Sequence, residues 1–169
     1  MSETSLPSSA EAQATTRPVS DIPSMLLPVG NKMLLVPGVA VAEIVNYTYP
    51  DRPEDAPDWY FGKIIWRKLE VPTVSFELLN GQELPRTTGT RRIAVLNNTG
   101  VRDDLPFIAI IIQGIPRLMR VTPKDITEET DVSLAPAERL AVRVASGETV
   151  FIPDISTLER AYSAYQNTL

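Results

Sequence analysis

The sequence predicts an all-β barrel architecture closed by one terminal helix, on three observations. Short runs dense in β-branched and aromatic residues recur along most of the chain, separated by Gly, Pro and Asn turns. The ribbon from Trp59 to Phe76, Trp-Tyr-Phe-Gly-Lys-Ile-Ile-Trp-Arg-Lys-Leu-Glu-Val-Pro-Thr-Val-Ser-Phe, holds two such runs back to back. Only the segment after Pro153 breaks the pattern. There Ser156-Thr157-Leu158-Glu159 has the form of a capping box, and Leu158, Ala161, Tyr162 and Tyr165 recur at helical spacing.

In chain order, Met1 to Pro23 is rich in Ser, Thr, Ala and Pro and is expected to be a flexible, disordered tail. The folded domain is then residues 24–169. Met25–Val29 and Met33–Val36 read as strands joined at Gly30-Asn31, residues that tolerate positive φ. Pro37-Gly38 breaks the second run. A short turn at Gly38–Val41 and a strand at Ala42–Tyr47 follow. Tyr49 to Asp58 is a Pro- and Asp-rich loop. The ribbon supplies strands at Lys63–Leu69, preceded by Gly62, and at Val71–Leu79, opened by Pro72 where a missing N–H is tolerated. Asn80 to Thr90 is polar. Arg91–Leu96, Pro106–Gln113 and Ile115–Val121 read as strands, with a turn at Asn97–Gly100. The run Ile110-Ile111-Ile112 fits a strand buried on both faces. Pro123 to Pro136 reads as a polar connection. Arg139–Ala145 and Thr149–Pro153 form a hairpin across Ser146-Gly147, and the helix closes the chain.

Composition removes whole classes of chemistry. The 169 residues suit one domain, with 43% hydrophobic and 22% charged residues. There is no Cys and no His. Thiolate chemistry, phosphohistidine and Ser–His or Cys–His catalysis are therefore excluded on this chain. A net charge of −5 argues against a nucleic-acid role. No apolar run reaches the roughly 18 residues of a membrane span, and the start lacks a secretory signal, so a cytoplasmic location is expected.

Several residues invite a chemical reading and carry a plainer one. Asp51, Glu54, Asp55 and Asp58 crowd one loop, but no Gly offers the sharp turn of a Ca²⁺ site, and a solvated loop is expected. Asp103-Asp104 reads as a turn. Arg86, Arg91 and Arg92 lack the Gly-rich lead into a helix that an anion site uses. Trp59 and Trp66 fit packing better than a ligand platform. Arg67, set among apolar residues, requires a carboxylate, a carbonyl or a partner protein.

The ribbon's order of aromatic, Gly62, apolar triplet, Arg67, turn and Val71-Pro72 resembles the CheW-like family, the coupling proteins of bacterial chemosensory arrays. Val41-Ala42-Glu43-Ile44 is similar to that family's Val-x-Glu-Ile segment. Gly147, Val150–Ile155 and the terminal helix resemble its closing elements. The pairing of Trp59 with Trp66 is similar to variants attached to type IV pilus systems, the ChpC type above all. The chain departs from the family at Lys68, where Gly is usual, at Ser75, where Asp is often carried, and at Ile112-Gln113-Gly114-Ile115-Pro116, where a strand containing Val-Asp is usual.

The resemblance implies two SH3-like five-stranded β-barrel subdomains with a C-terminal helix, no catalysis and no cofactor. It implies an adaptor, or scaffold, in chemotaxis signal transduction. Such a protein couples the cytoplasmic tip of a methyl-accepting receptor to the regulatory domain of a CheA-like histidine kinase, here in control of twitching motility. The protein-binding residues it implies are Val41, Glu43, Ile44, Gly62, Arg67 and Lys68. Two rival readings remain at this stage. One is a CheW-like module working outside the receptor array. The other is a ligand-binding β-barrel, or an enzyme working through carboxylates, Lys or Tyr.

Overall fold

The computed structural model describes residues 20–86 and 89–169. The expected tail lies outside the described residues except at its end, where Ile22 and Pro23 already belong to the first strand. β1 (Ile22–Val29) and β2 (Lys32–Pro37) form the hairpin that Gly30-Asn31 signals, with Val29 opposite Lys32. A 3-10 turn at Gly38–Ala40 leads into β3 (Val41–Asn46). β4 (Tyr60–Trp66) and β5 (Leu69–Val74) are the ribbon's two strands. A short helix, α1 (Phe76–Leu79), replaces the expected end of the second. β6 (Arg92–Asn97), β7 (Phe107–Ile112) and β8 (Arg117–Val121) fall on the runs that predicted them. β9 (Ile126–Glu128) occupies the segment read as a polar connection. β10 (Glu138–Val144), β11 (Thr149–Pro153) and the helix α2 (Ile155–Gln166) complete the chain.

The strands make a six-stranded sheet in the order β8-β1-β2-β11-β10-β9 and a five-stranded sheet in the order β3-β6-β7-β5-β4. The expected five strands hold for the second sheet. The first gains β9, an edge strand of three residues that is too short and polar to announce itself.

Side-chain alternation explains why the chain makes two curled sheets. On β7, Ile108, Ile110 and Ile112 enter a cluster shared by both sheets, while Ala109 and Ile111 face a second cluster. On β6, Ala94 and Leu96 take the shared side, and Ile93 and Val95 the other. On β1, Leu27 and Val29 take the shared side, and Leu26 faces a third cluster fed only by the six-stranded sheet. The second and third clusters draw on no helix. A sheet face that is buried without a covering layer must curl over itself, which is barrel geometry. The shared cluster is the layer between the barrels. It also receives Phe76 from α1 and Leu158 and Tyr162 from α2.

Two predicted termini are corrected. Ser75 ends the ribbon's second strand because its hydroxyl accepts from Leu78 N at 3.2 Å, capping α1. The capping box at Ser156 does not form. The helix starts two residues earlier, with Asp154 at the cap position and no side-chain cap bond. Glu159 turns inward instead. Its carboxylate accepts from Thr99 N at 2.7 Å and from the Thr99 hydroxyl, tying α2 to the turn after β6. Tyr60 packs 5.4 Å from Tyr162 and 5.0 Å from Tyr165, docking the predicted apolar face. Burial, then the charge and hydroxyl of Tyr162, push the Tyr60 phenol above its ordinary range.

Gly62 sits inside β4, at a bulge, rather than ahead of it. Its φ is +103°, and a Cβ there would fall 2.1 Å from the carbonyl oxygen of Asp51. That approach lets Asp51 and Lys63 exchange backbone hydrogen bonds of 2.8 and 3.1 Å. Gly62→Ala is expected to destabilise the protein by more than about 1 kcal/mol in urea denaturation. An unchanged midpoint would contradict this account of the position.

Candidate functional site

Trp66 pairs with Leu69, so Arg67 and Lys68 form the whole loop of the β4–β5 hairpin. Their φ angles are +48° and +66°. Positive φ at both central positions gives the turn hand that matches strand twist. The sequence reading put Arg67 within a strand running to Leu69. The turn was hidden because neither residue is the Gly or Asn that marks this loop.

The tip is held from the far side of its own sheet. β3 and β4 are opposite edges of the five-stranded sheet. Yet the Trp66 indole Nε1 donates to Glu43 Oε2 at 2.7 Å, and Arg67 donates to the same oxygen at 3.2 Å. Edge strands that hydrogen-bond through side chains have closed the barrel. The Arg67 guanidinium also lies 4.6 Å from the Trp66 ring centroid.

Glu43 reaches this place through a bulge. β3 pairs Val41 with Leu96 but Glu43 with Val95, so Ala42 is the extra residue. Regular pairing would set Glu43 opposite Ala94, facing the shared core. With the bulge, Glu43 shares the face of Val95 and Trp66, inside the five-stranded barrel's mouth. Val41 and Ile44 both turn to the shared core, three positions apart instead of two or four.

The contacts are unequal in value. Arg67 is 67% exposed, and a surface ion pair of that kind contributes under ~1 kcal/mol. Trp66 is only 7% exposed, so its indole N–H relies on Glu43 as acceptor. Ile65, one residue before, points outward and is 72% exposed.

The structure thus brings Glu43, Arg67 and Lys68 together with Trp66, for which the sequence favours packing over a ligand platform. It packs, 4.8 Å from Phe107, and also donates. Val41 and Ile44 lie on the core side of the same strand. Gly62 acts on the backbone approach to Asp51 and lies apart from the tip.

Several of the other charged candidates are occupied locally. Arg91 stacks 4.0 Å from the Tyr47 ring, and Arg92 donates to Asn46. Arg52 donates to the carbonyls of Ala56 and Pro57 at 3.2 and 3.3 Å, folding its acidic loop on itself. The Arg102 guanidinium, hydrogen-bonded to Asp104, holds that carboxyl below the usual carboxylate range.

Residues 23–161 match the CheW-like domain family. No curated protein matches the sequence. Among solved structures, the chain resembles the crystal structure of scaffolding protein TtCheW from Thermoanaerobacter tengcongensis. The TM-score is 0.67 with 12% identity, over 79% of this chain and 89% of that one. At that identity the likeness is one of fold.

The strain at the tip gives a stability test. Lys68 holds a left-handed conformation that costs an L-residue about 1 kcal/mol or more relative to Gly. Lys68→Gly is expected to raise stability by roughly 1 kcal/mol in urea denaturation. A loss of stability would mean that the Lys68 side chain makes a compensating contact.

Proposed function

This chain belongs to the CheW-like domain family, and we propose that it is a non-catalytic adaptor joining a methyl-accepting receptor to a CheA-type histidine kinase. The observation that carries the reading is the hairpin tip. Two cations stand at the end of a closed barrel, and one of them is fixed by Glu43 and stacked on Trp66. An arginine immobilised before binding loses less rotamer entropy on docking than a free one. Exposed Ile65 beside it offers apolar area of the kind that interface cores use.

In this reading Arg67 and Lys68 touch the partner directly. Glu43 orients Arg67 and contributes a charge at the rim. Val41 and Ile44 support that rim from the shared core. Gly62 contributes by holding the hairpin, with no contact of its own. The receptor tip is a helical hairpin in this reading, and the two cations suit acidic side chains on such a partner. The kinase's regulatory domain takes a barrel end.

The finer assignment is to a ChpC-type protein of a type IV pilus chemosensory system, working in the cytoplasm on twitching motility. The Trp59 and Trp66 pattern is its support.

Arg67→Ala is expected to leave the denaturation midpoint within about 0.5 kcal/mol of the parent. It should weaken recruitment to a receptor cytoplasmic fragment, or to the kinase regulatory domain, by about tenfold in a pull-down titration. A Glu43→Lys variant that folds should lose recruitment as well. Full recruitment by both variants would reject the tip as the docking element.

A further inference from the structure

A second site lies where α1 meets both sheets, and it shares no residue with the hairpin tip. Glu77 of α1 is only 1% exposed. Its carboxylate accepts from Gly30 N at 2.8 Å, Ser75 Oγ at 3.0 Å and Gln113 Nε2 at 3.2 Å. All of these donors are neutral. Among the described residues no Lys or Arg forms an ion pair with Glu77. A buried carboxylate without a cation is costly unless a positive group reaches it.

Ser75, Glu77 and Gln113 also line a cavity of about 190 Å³, walled by Phe61, Leu84, Pro85 and Ile111. The Gln113 Oε1 atom is buried there without a hydrogen-bond partner. The amide cannot turn over to relieve it, because its oxygen would then face the Glu77 carboxylate. The floor therefore offers acceptors in excess. Arg91 stands at the mouth, but its guanidinium is stacked on Tyr47.

Ser75 and Gln113 are neutral, so Glu77 is the one carboxylate among the residues lining the cavity, beside the unfilled Gln113 acceptor.

We infer that this cavity binds the end of a small aliphatic primary ammonium, either a free amine or a lysine side chain of a partner. The ammonium supplies donors to Glu77 and Gln113 Oε1, and the alkyl stem lies against Phe61, Leu84 and Ile111. The volume is below the roughly 300–1,000 Å³ of drug-sized pockets, which restricts the guest to such a fragment.

The test is a titration of the full ¹⁵N-labelled chain followed by ¹H–¹⁵N correlation spectra. The probes are n-butylammonium chloride and an end-blocked Gly-Lys-Gly peptide. Sodium butyrate and tetramethylammonium chloride are the controls for chain and charge. Saturable shifts of the Gly30 amide and the Gln113 side-chain amide with either probe, and with neither control, are expected. The tighter probe identifies the source. Glu77→Gln should weaken binding about tenfold or more. Leu84→Trp, at a 47% exposed wall position clear of the hydrogen-bond network, should abolish it by filling the mouth. Arg67→Ala should bind unchanged, so this result is independent of the adaptor reading. Absence of saturable shifts with both probes, or equal shifts with a control, would overturn the inference and leave a water-filled cavity.

Discussion

The hydrogen bond from the Trp66 indole to Glu43 joins the two edges of one sheet, and the five-stranded barrel exists as a closed object because those edges meet. A sheet of five strands with free edges would leave Ile93, Val95 and Ile111 facing water. Closure buries them with no help from a helix. The same closure sets the β4–β5 tip against β3, which is why an arginine in a two-residue loop finds a carboxylate far away in sequence. Shape and charge at the candidate docking element thus follow from one packing requirement.

The bulges are the means. Strict alternation would place Ala42 opposite Val95 and send Glu43 into the shared core. One extra residue in β3 sets Glu43 on the barrel-interior side beside Ala42. A second bulge in β4 lets Tyr60 serve the shared core while Ile64 serves the barrel interior. Gly62 follows at that bulge, where the backbone of Asp51 leaves no room for a side chain. Bulges that redirect side chains next to a binding surface are a common use of the device.

The sequence made most strands legible because their apolar runs are long and their turns carry Gly, Pro or Asn. The triple isoleucine of β7 announced a strand buried on both faces, and it packs against two clusters. The losses have specific causes. Arg67-Lys68 makes its turn without a turn residue, so the strand seemed to run on. Ser75 caps a helix of one turn inside what read as β-pattern. β9 is too short for any periodicity. Glu159 carried the signature of a capping box, yet it was drawn inward to Thr99 once the helix began at Ile155. At the site, Arg67 and Glu43 could each be picked out by resemblance. Their meeting through Trp66 could not, since it depends on closing the barrel. Ser75 and Gln113 stood out as departures, and only the fold showed that both turn to Glu77.

The central claim is that this chain works by presenting a shaped β surface to other macromolecules. Its most direct test is affinity recovery of the full chain from the cells that make it, with the recovered proteins identified by mass spectrometry. Recovery of a methyl-accepting receptor together with a CheA-type kinase is the predicted result. Recovery of neither, from cells that express both, would contradict it.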